Sequence, residues 1–263
     1  MDIAQHRDST QVSRRFNKGH FVRCFFGLSL SLAACLGAYQ TTVEVGPHFN
    51  YTEIHVDQPT TIRGYAAGVT AVVTGTHSYV KGQVLFEGTW NAAPLTGEPA
   101  ERSSIEEYFL TLYLGPTFGW KQWQFDPYTG FGWDRFDMTH NPSLSSLSFR
   151  YDKLFIPVGF YLYWLSIPFR LGLQFEFRPD VYRDLRLIGL HLDPKWGYAF
   201  RSQLILSQVF PQRWGEVVIS FLPFFDWNRF GRVDETNSLG VPLTLPRLID
   251  WKVGVRFLVG VTF

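Results

Sequence analysis

The sequence has little cysteine, and outside its N-terminal part it has no long hydrophobic run. Both of its cysteines, Cys24 and Cys35, lie near the start, so the rest of the 263-residue chain can form neither a disulfide nor a thiolate metal site. The apolar run from Cys24 to Tyr39 is the stretch that approaches the length of a membrane-spanning helix. These shortages exclude a disulfide-stabilised domain and a helical membrane bundle.

A strong charge imbalance is also missing. Residues 1–35 hold five of the 24 basic and two of the 23 acidic residues, so the remainder has a formal net charge of −2. No part of that remainder forms a basic patch of the kind that binds nucleic acid. We therefore expect no nucleic-acid partner, and we also expect no cofactor.

The N-terminal part has the layout of an export signal. Basic residues, including Arg14 and Arg15, precede the apolar run 24–39, in which small residues follow the most apolar part. We predict a signal peptide over residues 1–38, cleaved near 34–38, and one domain over 39–263. The pair Arg14-Arg15 also resembles a twin-arginine signal. That route carries folded cargo, so we expect Sec-type export.

Two modes of cleavage fit this signal. Leu32-Ala33-Ala34-Cys35 resembles a lipobox, which would make Cys35 a lipid-bearing N-terminus. It also fits the ordinary end of an apolar signal region. We favour ordinary cleavage because a lipid anchor would be redundant in a protein that is already integrated in a membrane.

Apolar residues are abundant but dispersed. They make up 46% of the chain, yet the mean hydropathy is only −0.04, because apolar and polar residues alternate. The segment 249–263 shows this most completely. One row of it holds Trp251, Val253, Val255, Phe257, Val259, Val261 and Phe263. Strict period two over this length predicts a β-strand long enough to cross a bilayer at a tilt.

About ten segments of this kind follow one another. They are predicted at 42–56, 63–74, 79–90, 106–118, 123–137, 154–164, 169–178, 196–207, 215–227 and 249–263. Short connections alternate with long ones, such as the predicted loops 179–195 and 230–247. The fold class is therefore all-β: a transmembrane antiparallel up-and-down barrel of about ten strands, with both termini in the periplasm.

The last strand carries a family resemblance. Phe257, Val259, Val261 and the final Phe263 resemble the C-terminal signal of Gram-negative outer-membrane β-barrels, which the barrel-assembly machinery recognises. The run Leu154–Gly159 also resembles a common barrel strand. The resemblance implies an outer-membrane location. It also implies outer-membrane lipid, the barrel-assembly machinery and periplasmic chaperones as partners.

The nine tryptophans support the same interpretation, because all of them fall near predicted strand ends. Five lie near the predicted outer ends and four near the inner ends. An indole ring combines an apolar body with one N–H donor and favours the headgroup layer, so two aromatic girdles are expected.

The polar row of each strand should face the lumen. The predicted lumen charges are Lys81, Glu87, Glu107, Arg170, Glu176, Arg178, Arg201, Lys252 and Arg256, with Glu44 and Glu216 beside them. Both signs occur throughout, and a ten-stranded barrel is narrow. These charges either brace the wall by mutual pairing or line a selective pore, and the sequence leaves both readings open.

The sequence gives little support for a catalytic site at the rim of the barrel. Omptin proteases resemble this chain in predicted strand number, but their Asp-x-Asp and Asp-x-His pairs are missing, and His191-Leu192-Asp193 has the reverse order. His140-Asn141-Pro142-Ser143 lacks a third catalytic partner. We therefore expect a non-enzymatic barrel with a structural or narrow-channel role.

The alternative function is a surface-binding protein or adhesin. Apolar residues in the predicted loop 179–195 would serve it, namely Tyr182, Leu185, Leu187, Ile188 and Leu190. The same residues also fit a short helix folded back over the rim. The sequence identifies no ligand.

Overall fold

The structure is a computed structural model. It describes residues 40–56, 60–91, 104–139, 149–187, 190–192, 194–231, 233–236, 242–245 and 248–263. The predicted export signal, with Cys24 and Cys35, lies outside the described residues.

Regular structure in the described residues consists of β-strands. They are β1 (Gln40–Val56), β2 (Thr60–His77), β3 (Val80–Asn91), β4 (Ser104–Pro116), β5 (Phe118–Trp120), β6 (Trp123–Thr139), β7 (Phe149–Phe155), β8 (Val158–Ser166), β9 (Phe169–Leu187), β10 (Leu190–Leu192), β11 (Tyr198–Gln212), β12 (Gly215–Phe230), β13 (Val233–Thr236), β14 (Pro242–Leu245) and β15 (Leu248–Thr262). Within these ranges, no helical segment has the length and hydropathy that a bilayer crossing requires.

The strands form a closed antiparallel barrel with ten strand positions. The long strands pair in the order β1, β2, β3, β4, β6, β9, β11, β12 and β15, with β7 and β8 together between β6 and β9. Strand β15 closes the ring by pairing with β1 from Thr42↔Thr262 to Val56↔Leu248. Strands β7 and β8 share one position, because the chain breaks between them at Ile156 and Pro157 and both pair with β6 and β9. The prediction of a ten-stranded up-and-down barrel is confirmed.

The two ends of the barrel differ. At one end, here called the short-turn end, the strands are joined by tight turns at 78–79, 121–122, 167–168 and 213–214. Thr41 and Phe263 exchange two backbone hydrogen bonds of 2.9 and 3.0 Å at this end. At the opposite end, here called the long-loop end, the chain passes from β1 to β2, from β3 to β4, from β6 to β7, from β9 to β11 and from β12 to β15.

Several predicted boundaries were wrong. Strand β9 continues to Leu187, through a segment that the sequence analysis treated as a loop from residue 179, and its end pairs with β7 and β10. The register shifts opposite Leu154 and Phe155, which leaves Val181 without a paired residue on β7. The predicted loop 230–247 contains the hairpin β13–β14, and the predicted strand 154–164 is interrupted.

The wall is inverted relative to that of a water-soluble barrel. Apolar side chains such as Val45, Phe49 and Leu171 point outward and are 40% to 51% exposed, whereas the inward-facing Glu176 and Arg178 are almost fully buried. An exposed apolar exterior of this kind suits lipid rather than water. Trp120, Trp123, Trp164 and Trp214 lie toward the short-turn end, and the other five tryptophans toward the long-loop end.

Candidate functional site: the barrel lumen

The charged residues predicted for the lumen lie on the inward face of their strands. Six of them are buried, namely Glu87, Glu176, Arg178, Arg201, Lys252 and Arg256. Lys81, Glu107 and Arg170 are half-buried, as are Glu44 and Glu216 nearer the strand ends. The inward position follows from period two: once the apolar row faces lipid, the alternate residues must face the interior.

A central ionic network crosses the lumen. Arg201 Nη2 lies 3.0 Å from Glu87 Oε2 and 2.6 Å from Asp226 Oδ2. Strands β3 and β11, which carry Glu87 and Arg201, are five positions apart in the ring of ten, so this pair spans the barrel. Arg256 binds the second oxygen of Glu87, and Arg178 binds Asp226.

Aromatic rings complete this central layer. Phe109 lies under two guanidinium groups, with its ring centroid 4.6 Å from Arg201 Cζ and 5.2 Å from Arg178 Cζ. Arg256 Cζ lies 4.1 Å from the centroid of Phe224. Stacking on an aromatic face stabilises a cation that has left water, which accounts for apolar residues inside a polar lumen.

A second group of charges lies nearer the long-loop end. Lys252 binds Glu107 and lies 3.3 Å from Asp250 Oδ2. Lys153 Nζ lies 3.2 Å from Asp134 Oδ2 and donates to Asn228 Oδ1 at 3.1 Å. Strands β4, β6, β7, β12 and β15 are joined in this way, again across the interior.

A third group lies toward the short-turn end. Lys81 Nζ lies 2.9 Å from Asp126 Oδ2 and donates to Tyr163 at 3.3 Å. The rings of Tyr161 and Tyr163 flank the same ammonium, with centroids 4.8 and 4.9 Å away. All three groups are composed of opposite charges in contact.

Sequence reasoning missed several members of these three groups. Asp226, Asp134, Asp250, Lys153, Asp126 and Asn228 are buried inside the barrel, but none was predicted to be there. On β12 the inward row also contains Val218, Leu222 and Phe224, so both faces of that strand are apolar over much of its length. Its inward-facing aspartate therefore belonged to no visible polar row.

Apolar residues fill the lumen at the long-loop end. This apolar cap consists of Ile54, Ile62, Ile105, Phe136, Tyr151, Leu185 and Leu192. Leu185 had been considered an exposed loop residue. It is 4% exposed and belongs to the cap, whereas Tyr182 points outward and is 56% exposed. The side chains of Leu187, Ile188 and Leu190 lie outside the described residues.

Most residues of the two candidate rim sites lie outside the part of the chain that the structure describes. Residues 140–143 are not described, nor are the side chains of His191 and Asp193, and the intervening Leu192 is buried in the apolar cap. Among the residues that the structure does describe, no cluster of His, Cys, Asp or Glu could hold a metal ion.

The residues of the proposed assembly signal line the outer face of β15. Phe257, Val259 and Phe263 are exposed, and Val261 is half-buried opposite Val43 of β1. They therefore lie on the lipid-facing seam where the barrel closes. Cys35 lies outside the described residues, so its lipidation stays the untested alternative to the predicted ordinary cleavage.

Comparison with known proteins gives similarities in fold. No protein-family model and no curated protein sequence matches the chain. Similar solved structures include the outer membrane protease OmpT from Escherichia coli, at 9% identity over 85% of this chain and 96% of that chain, with a TM-score of 0.49. The translocator domain of the autotransporter NalP from Neisseria meningitidis matches at 9% identity over 93% and 97%, with a TM-score of 0.45. Ail, the attachment invasion locus protein of Yersinia pestis, matches at 10% identity over 83% and 97%, with a TM-score of 0.34.

Three properties of the structure determine the type of barrel. The ring of strands is closed, its exterior is apolar between two sets of tryptophans, and its interior is polar. The fold is that of an outer-membrane β-barrel.

Proposed function

We propose that the protein is a non-enzymatic structural barrel of the Gram-negative outer membrane whose lumen does not conduct solutes. The observation that carries the proposal is the contact between Arg201 and Glu87, which joins opposite sides of the wall. A general porin keeps an aqueous column along its axis. Here that axis is occupied by paired charges, by the aromatic rings stacked on them and by the apolar cap.

The energetics support a stable closure. Each buried charge loses its hydration, and the loss is offset only while its partner stays in place. An open channel would need several of these pairs to separate in a coordinated way. The proposal includes Sec-type export of the chain, delivery by periplasmic chaperones to the barrel-assembly machinery, and a periplasmic short-turn end.

Planar-bilayer recordings of the refolded mature chain test this proposal. The wild-type barrel is expected to give no stable conductance steps, with insertion verified independently by protease protection in vesicles. The double variant Glu87→Ala/Arg201→Ala removes the pair that spans the lumen and should produce a measurable leak. Asp226 then still contacts Arg178, and Arg256 still contacts Gln203.

The matched control is Glu53→Ala/Arg63→Ala. This pair has the same two charge signs and a contact of 3.3 Å, but it lies on the outer face of β1 and β2. Removing this pair should produce no conductance steps in the bilayer. If the wild-type barrel gives large, stable conductance steps that neither double variant changes, the proposed structural role is wrong and the protein is a general porin.

A further inference from the structure

A cavity of about 80 Å³ lies inside the lumen on the short-turn side of the central network. Thr42, Glu44 and Arg170 are half-buried residues of its lining, near the strand ends, and Arg256 is a buried residue of the same lining. Counting about 10–15 Å³ for each water position, the cavity holds on the order of five to eight waters. That space suits a small solute.

One wall of the cavity presents hydrogen-bond acceptors. Ser220 Oγ donates to Glu44 Oε1 at 2.9 Å, and the hydroxyls of Ser207 and Ser220 are 2.8 Å apart. Ser220 donates its single hydroxyl proton to Glu44, so Ser207 must be the donor in the hydrogen bond between the two serines. Both hydroxyl protons are therefore used, and this wall offers a carboxylate with no cation in contact. Among the described residues, Glu44 forms no ion pair.

The other wall presents unsatisfied donors. Arg256 uses Nε on Glu87 and Nη1 on Gln203, while its buried Nη2 has no hydrogen-bond partner. Arg170 lines the same cavity and, within the described part of the chain, has no carboxylate at ion-pair distance. The two guanidinium groups give this wall a positive charge, so it favours an anionic group that can accept charge-assisted hydrogen bonds.

We infer that this cavity is a binding site for a small zwitterion of the α-amino acid class. The carboxylate of such a molecule accepts from Arg170, on the wall that Arg256 also lines, and its ammonium group donates to Glu44. A simple anion would leave Glu44 without a cation in contact, and a simple cation would leave Arg170 without an anion. A zwitterion satisfies both walls and adds no net charge to the lumen.

The first test is a titration of the refolded mature chain with glycine, followed by NMR. A non-ionic detergent is required, because zwitterionic headgroups would compete for the site. Glycine should shift the amide signals of Val218 and Leu258, which line the cavity, in a saturable manner, and leave Gly119 unchanged. Acetate and methylammonium should each bind at least about tenfold more weakly, since each loses one charge-assisted set of hydrogen bonds.

Two variants test the contributions of the two walls to binding separately. Arg170→Ala should lower the affinity for both glycine and acetate by about tenfold or more. Glu44→Gln should lower the affinity for glycine and leave the affinity for acetate unchanged or higher. Arg170→Lys should retain part of the affinity. Arg213→Ala is the control, because Arg213 is exposed in a turn at the same end but does not line the cavity.

Heat-modifiable migration on gels identifies variants that have folded, and Arg170→Lys and Glu44→Gln keep the size of the original side chain closely enough to fold. Acetate binding as tightly as glycine would reduce the cavity to a plain anion site and overturn the inference. Amide shifts that do not saturate with glycine would also overturn the inference. So would a loss of glycine affinity in Arg213→Ala as large as that in Arg170→Ala. The binding result is independent of conductance, so a barrel that conducts and still binds glycine contradicts only the proposed function.

Discussion

At the scale of single residues, the most consequential side chain is one that the sequence did not reveal. Asp226 accepts from Arg201 at 2.6 to 3.1 Å and also binds Arg178, so one carboxylate bridges two buried guanidinium groups. Period two predicted the arginines as inward residues. It could not predict their partner, because pairing across a barrel depends on strand number and stagger rather than on local sequence.

Removing this carboxylate should be costly. Asp226→Ala leaves Arg178 and Arg201 with an excess of buried positive charge, and we expect a loss of about 3–5 kcal/mol in the free energy of unfolding. Urea titration of the barrel in lipid vesicles, followed by tryptophan fluorescence, measures the loss.

The chain contains a matched control for that experiment. Asp137 also contacts two arginines, Arg135 at 2.9 Å and Arg150 at 2.6 Å, but on the outer face near the long-loop end, where Arg150 is substantially exposed. Asp137→Ala should cost no more than about 1 kcal/mol, because the outward-facing pairs are partly exposed and are screened by water and salt. Equal losses for the two variants would mean that the lumen is hydrated well enough to screen the central network.

At the scale of elements, the sequence predicts the strands where one face contacts lipid. The segment 169–178 alternates cleanly and was placed correctly, whereas the continuation of β9 to Leu187 was not. Beyond Val181 the outward residues include Asp184 and Arg186, which pair with each other at 2.9 Å. Once the outward face is charged, the contrast between the two rows disappears, and with it the signal for a strand.

The last strand carries an element-scale prediction that rests on the proposed assembly signal. Phe263 contributes two backbone hydrogen bonds to the seam with Thr41 and a side chain that is 63% exposed toward lipid. Deleting Phe263 removes both contributions, whereas Phe263→Ala removes only the ring. We expect both variants to be secreted but to yield less heat-modifiable barrel, with the deletion more severe.

Phe169→Ala is the control for loss of an aromatic ring. Phe169 is also outward-facing at the short-turn end, with 53% exposure, but it lies on β9 and outside the proposed signal. Its replacement should leave assembly nearly normal. If Phe263→Ala assembles as well as Phe169→Ala and only the deletion fails, the seam hydrogen bonds matter and the ring is not read by the assembly machinery.

At the scale of the whole molecule, the interior is layered along the barrel axis. The apolar cap lies at the long-loop end, the paired charges occupy the middle, and the cavity of about 80 Å³ lies toward the short-turn end. The sequence predicted a narrow, charged lumen but not this order. Inward residues that are apolar, such as Ile54 and Leu185, look like departures from period two until the ring closes and brings them together.

This layering gives the two ends different properties, so the orientation of the barrel in the membrane determines which side the cavity faces. Loop length predicts a periplasmic short-turn end, because barrels of the outer membrane have short periplasmic turns and longer outer loops. Labelling of single cysteines with a membrane-impermeant maleimide tests the orientation in intact cells. The background carries Cys24→Ser and Cys35→Ser, which removes both natural thiols.

Arg186→Cys and Gln212→Cys provide the two reporters. Arg186 is exposed on β9 near the long-loop end, and Gln212 is exposed at the end of β11 beside the turn 213–214. We expect the Arg186→Cys variant to be labelled in intact cells, because its side chain extends beyond the lipid-facing band. The Gln212→Cys variant should react only after the outer membrane is permeabilised, which also serves as the positive control for thiol reactivity. The reverse pattern would place the short-turn end outside the cell, so the cavity would open to the medium and glycine would reach it without crossing the outer membrane.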